Sequence, residues 1–108
     1  MRPCKSINVF FDPEFRADVT EQMRRVADAG FTHLDMNFWD WSHDPRSPFM
    51  QDDWQKWVDR IGENAARFGV RFTQSHAHVY NFYESDEESI HERQIRRSII
   101  GAGMLSIP

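Results

Sequence analysis

The sequence predicts an α/β fold of three consecutive strand–helix units with parallel strands, and two observations carry that prediction. The first is a repeated helix stop. Ala29-Gly30-Phe31-Thr32-His33-Leu34-Asp35 and Phe68-Gly69-Val70-Arg71-Phe72-Thr73-Gln74 each close a helical pattern with glycine and restart as a β-prone run, and the two glycines stand 39 positions apart. Met104-Leu105-Ser106-Ile107-Pro108 repeats the transition 37 positions later, with Ser106 where glycine is expected. The residue just past a helix usually turns left-handed, which costs glycine least, so Ser106 makes the third stop weaker. The second observation is connection length. Successive strands are separated by segments long enough to hold a helix, as a parallel return requires, and such crossovers are almost always right-handed.

The elements follow in order. Residues 6–10, Ser6-Ile7-Asn8-Val9-Phe10, form a short strand candidate. Asp12-Pro13 then reads as a helix cap followed by proline at the first helical position, where the missing N–H is no loss. Phe15, Val19, Met23, Val26 and Ala27 recur at helical spacing and give the first helix one buried stripe, ending at Gly30. The second strand covers about residues 31–38, and a polar, aromatic loop runs on to about Phe49. Trp54, Trp57, Val58, Ile61, Ala65 and Phe68 form the stripe of the second helix, with Asp52 and Asp53 near its positive end. The third strand spans about residues 70–76. Ser85-Asp86-Glu87-Glu88 has the spacing of a capping box, which starts the third helix. Its stripe is less regular, through His91, Ile95, Ile99 and Ala102, with Ile100 off the line.

Bulk properties limit the function classes. The 108 residues are 40% hydrophobic and carry a formal charge of −4, enough for one small domain, residues 1–108, burying roughly two-thirds of its unfolded surface. No Pro/Gly-rich linker or charge block divides it. The acidic balance argues against a nucleic-acid or membrane partner held by charge, because those contacts need clustered Lys and Arg. Arg24-Arg25 and Arg96-Arg97 read as solvated helix faces. Cys4 is the only cysteine, so a reducing compartment is expected, and no run approaches the roughly 20 apolar residues that span a bilayer. A cytoplasmic protein is the expectation.

In parallel α/β architectures function sits at the carboxyl ends of the strands. Alternation places His33, Asp35 and Asn37 on one face of the second strand, and Leu34, Met36 and Phe38 on the other. On the third strand it groups Phe72, Gln74 and His76, while Asn8 lies near the corresponding end of the first. These polar faces are expected to share one pocket.

The run Asp35-Met36-Asn37-Phe38-Trp39-Asp40-Trp41-Ser42-His43-Asp44-Pro45-Arg46-Ser47-Pro48-Phe49, with Gln74-Ser75-His76-Ala77, Tyr80-Asn81-Phe82 and Met104-Leu105-Ser106-Ile107-Pro108, resembles the sugar phosphate isomerases/epimerases of the xylose isomerase-like TIM-barrel superfamily. The resemblance extends over essentially the whole chain and implies a partial (β/α)8 barrel, the first three parallel βα units. It further implies a divalent metal (Mn, Mg, Co or Zn) and a sugar or sugar phosphate substrate, interconverted by proton or hydride shifts beside a carbonyl. In this family the metal ligands and acid/base pair generally come from later strands. The chain is therefore expected to be an N-terminal portion that contributes substrate-pocket residues, is inactive alone and binds no metal tightly. The pocket residues are then Asn8, Asp35, Asn37, Trp39, Trp41, Gln74 and His76. Asp35 stands where a glutamate is common, and His78 where proline is frequent. In the related zinc-dependent endonucleases a histidine ending the third strand ligates metal, which makes His76 a metal ligand by analogy and an endonuclease-like barrel fragment an alternative.

Other residues leave alternatives open on their own chemistry. His76 and His78, two apart on a strand, would point the same way and share a metal, or else His76 is a pocket hydrogen-bonding residue and His78 a loop residue. Trp39 and Trp41 suit either the C–H face of a sugar or pinning of the loop. His43-Asp44 suits a charge-assisted loop contact or acid/base chemistry, and Arg46 a phosphate or a loop tie. His33 and His91 are expected to be structural, and Cys4 lacks an activating base. Two further classes stay in view: a self-standing α/β ligand-binding module, and a fragment that self-associates through exposed sheet edges.

Overall fold

The computed structural model describes residues 6–9, 19–81, 83 and 88–108. Cys4, Phe10, the Asp12-Pro13 cap, Phe15, Phe82 and the Ser85 end of the capping box lie outside them. The described elements run β1 (Ser6–Val9), α1 (Val19–Asp28), β2 (His33–Asn37), α2 (Phe38–Trp41), a 3-10 turn (Pro48–Met50), α3 (Trp54–Phe68), β3 (Arg71–His76) and α4 (Glu88–Met104). The strands form a parallel sheet in the order β1-β2-β3, with β2 in the centre. β1 and β3 each have one neighbour among the described strands. No described helix is long and apolar enough to cross a membrane.

The three helix stops share one geometry. Gly30 and Gly69 have φ of 91° and 70°, and Ser106 adopts φ 55°. In each case the next residue reaches back five positions: Phe31 N–H to the Val26 carbonyl, Val70 to Ala65 and Ile107 to Ala102, all at 3.0 Å. This is the backbone pattern that satisfies the last carbonyls of a helix through a left-handed residue. The unit period read in the sequence is thus a period of helix ends.

Among the described residues one face of the sheet carries the apolar core. Val9, Leu34, Met36 and Phe72 point into a single apolar core with Met23 of α1 and Trp57, Val58 and Ile61 of α3. On the other face Ser6, Asn8, Arg71, Gln74 and His76 are exposed or partly so, as are His33 and Asn37, leaving Asp35 as the buried residue. The α1 and α3 stripes behave as their spacing predicts: Val19 and Met23 are buried in α1, and Trp54, Trp57, Val58, Ile61 and Ala65 in α3.

Three local expectations are corrected. β2 ends at Asn37, and Phe38 opens a helical turn, because the Asn37 Oδ1 accepts the Asp40 N–H at 3.2 Å and caps it. Strict alternation fails on β3: Leu34 pairs with Phe72 but Asp35 with Gln74, so Thr73 is an extra residue and Phe72 joins the core face while Gln74 and His76 stay on the polar one. In α4 the buried stripe is Gln94, Ser98 and Gly101, continued by Leu105, and Ile99 is 65% exposed. A Cβ on Gly101 would stand 2.7 Å from Phe38 Cζ, so only a bare backbone lets α4 approach this closely. Polar and small residues thus occupy the contact that an apolar pattern would assign to isoleucine.

Candidate functional site

The carboxyl ends of the strands carry a cleft of about 380 Å³ lined by Asn8, Asn37, Trp39, His76, Ala77 and Val79. The sheet register explains the grouping. Asn8 pairs with Asp35, Asp35 with Gln74 and Asn37 with His76, so side chains from all three strands stand in rows on the polar face. Trp39 follows Asn37 into the cleft because the capped turn carries it there. It is 39% exposed, and its ring meets His43 edge-on at 4.4 Å.

Asp35 is the centre of the polar face. Its Oδ2 accepts from Gln74 Nε2 at 2.7 Å and from His76 Nε2 at 2.9 Å. Its Oδ1 is buried with no hydrogen-bond partner among the described residues. A buried acceptor left without a donor costs roughly 1–3 kcal/mol, a cost commonly tolerated where a group has work beyond folding. The arrangement fixes the His76 ring: Nε2 carries the proton shared with the carboxylate, and Nδ1 is left as an acceptor.

Of the seven candidate site residues, Asn8, Asn37, Trp39 and His76 meet in the cleft, and beside it Asp35 is bonded to both His76 and Gln74. Trp41 does not join them. It is 2% exposed and packs on Trp57 with ring centroids 5.0 Å apart, inside the core. Arg46 forms a fork on Asp44, with Nε and NH2 donating at 3.0 and 2.6 Å, and this guanidinium holds the Asp44 carboxyl down at about 2. That is the loop tie.

His76 and His78 diverge. β3 stops at His76, and His78 turns inward, where Ser98 Oγ accepts its backbone N–H at 3.1 Å. Ser42 donates its hydroxyl to the Trp39 carbonyl at 2.6 Å, so its oxygen accepts from His78 Nδ1, also at 2.6 Å. His78 Nε2 then accepts from His91 Nδ1 at 2.8 Å, and Tyr80 stacks on His91 at 4.2 Å. A neutral imidazole satisfies every bond in this chain. Burial first, then the neighbouring His91 and His43, push the His78 pKa down to about 4. Sequence alone does not show this network, because extending the strand period past His76 puts His78 on the wrong side. The cleft walls Ala77 and Val79 carry no chemical signal in the sequence.

Asp35 and His76 are two donors, and among the described residues no group of three or more His, Cys, Asp or Glu side chains gathers to hold a metal ion. Two ligands fall short of the four of a structural site or the three of a catalytic one, so these side chains alone do not fit the divalent ion that the resemblance implies. Comparison with family models, with curated proteins and with solved structures found no match.

Proposed function

We propose that this chain forms the opening wall of a sugar or sugar-phosphate isomerase or epimerase built on a (β/α)8 barrel, supplying substrate contacts and no turnover of its own. The observation that supports the reading best is the gathering of Asn8, Asn37, Trp39 and His76 in one cleft at the carboxyl ends of parallel strands. That is where barrel enzymes hold their substrates. Among the described residues the helices pack on one face of the sheet, as they do around an arc of such a barrel. A doubly wound sheet would carry helices on both.

In this reading the asparagine amides bind ligand hydroxyls, with donors and acceptors matched to a polyol. Trp39 offers an apolar surface to sugar C–H groups. Asp35, itself bonded to Gln74, holds His76 in one orientation, so that the Nδ1 of the neutral imidazole accepts from a ligand hydroxyl. When present, a divalent metal supplies polarisation of the carbonyl; its ligands would have to come from residues other than this wall.

The test pairs calorimetric titration with a ketose, and separately with Mn²⁺, Mg²⁺, Co²⁺ and Zn²⁺, with deuterium exchange at the carbon beside the ketose carbonyl in D2O. The reading predicts sugar binding at the cleft, weak metal affinity and no exchange. Micromolar, stoichiometric metal binding accompanied by exchange contradicts it.

A further inference from the structure

We infer that this cleft receives the uncharged, hydroxyl-bearing part of its ligand and turns a phosphate away. The inference rests on the sugar-binding reading above and decides between the two substrate classes it leaves open.

The lining comes first. Among the described residues, Asn8, Asn37, Trp39, His76, Ala77 and Val79 provide two amides, an indole, an imidazole and two apolar groups, and none of these is Lys or Arg. Phosphate sites rely on guanidinium forks, on lysine, or on rows of backbone N–H groups at the start of a long helix. Three of the described arginines are committed to other partners. Arg71 stands at the opposite end of β3, bonded to His33, Arg46 is clamped on Asp44, and Arg97 donates to the carbonyls of Phe49 and Gln51.

The charge beside the cleft has the wrong sign for an anion. Asp35, with a side chain nine-tenths buried, keeps its carboxylate in contact with His76 and in register with Asn8. At short range such a charge repels a phosphate dianion.

Neutral hydroxyls suit the same wall. The Asn37 carbonyl oxygen is taken by the Asp40 N–H, so its NH2 is the part left to donate to a ligand oxygen. Each hydroxyl both donates and accepts, and so matches the amide and imidazole groups together.

The experiment measures the affinity of the full chain for a neutral ketose, for the same ketose carrying a terminal phosphate, and for inorganic phosphate, by ligand-detected NMR at constant ionic strength. The neutral ketose is expected to bind at least as tightly as its phosphate ester, and inorganic phosphate not to displace it. Val79→Lys places a cation at an exposed rim position, and Asp35→Asn removes the nearby anion; each is expected to improve the phosphate ester several-fold relative to the neutral sugar. If the parent protein binds the ester several-fold more tightly than the neutral ketose, this inference falls and the sugar-binding reading stands. If neither ligand binds, both fall.

Discussion

His76 on β3 is tied to Asp35 on the central strand by a 2.9 Å bond between Nε2 and Oδ2, although the two residues are 41 positions apart. The His76 side chain is more than half exposed, while that of Asp35 is nine-tenths buried. Among the described residues His76→Ala leaves Gln74 as the donor to the buried carboxylate, so it is expected to lower stability by about 1–3 kcal/mol, read from urea denaturation, while abolishing sugar-induced signals. Normal ligand binding by this variant, or loss of its fold, would remove His76 from the site.

Acid should loosen the fold through His78. Its ordinary pKa is 6.5 and the folded value about 4, so the unfolded chain binds the proton more readily. The contribution is fully present above pH 6.5 and drains away as pH falls towards 4, by about 3 kcal/mol in all. Urea midpoints of the parent and of His78→Gln between pH 7.5 and 4 check this: the variant, though less stable at neutral pH, should show the flatter profile. Parallel profiles would mean that His78 does not titrate as described.

Two glycines of α4 should respond oppositely to alanine. A Cβ at Gly101 would meet Phe38 Cζ at 2.7 Å, and Phe38 is fully buried with its ring 5.2 Å from that of Phe49. Gly101→Ala is therefore expected to destabilise by about 1–3 kcal/mol despite its better helix propensity. At Gly103 an added methyl group would meet nothing within 4 Å, so Gly103→Ala should stabilise by up to about 1 kcal/mol. Chemical denaturation of both variants separates close packing from propensity.

Ser106 holds a left-handed conformation, φ 55°, that glycine enters more cheaply. Ser106→Gly should raise stability by about 0.5–1 kcal/mol, read as a higher denaturation midpoint. An unchanged or lower midpoint would show that the third stop is not the weak one.

The parts of the fold legible in the sequence are those set by local backbone physics. Gly30, Gly69 and Ser106 mark the helix ends, and the α1 and α3 stripes mark the core faces. Asp35, Asn37 and His76 group correctly because alternation holds at the end of each strand. What stays hidden depends on contacts between elements. The extra residue at Thr73 is a matter of pairing with β2, and it moves Phe72 to the other face. The burial of Gln94 and Ser98 in α4 follows from bonds to the Ser42 carbonyl and the His78 N–H. Trp39 and Trp41, two apart in one loop, are indistinguishable until the capped turn at Asn37 sends one ring outward and the other onto Trp57.

Whether the polar face of the sheet is the ligand wall is best decided by a ¹H–¹⁵N correlation titration of the chain with a neutral ketose. Saturable shifts are expected at the amides of Asn8, Asn37, His76 and Ala77 and at the Trp39 indole. Shifts centred instead on the groove lined by Val58, Gly62 and Leu105, or no response at any ligand concentration, would overturn that assignment.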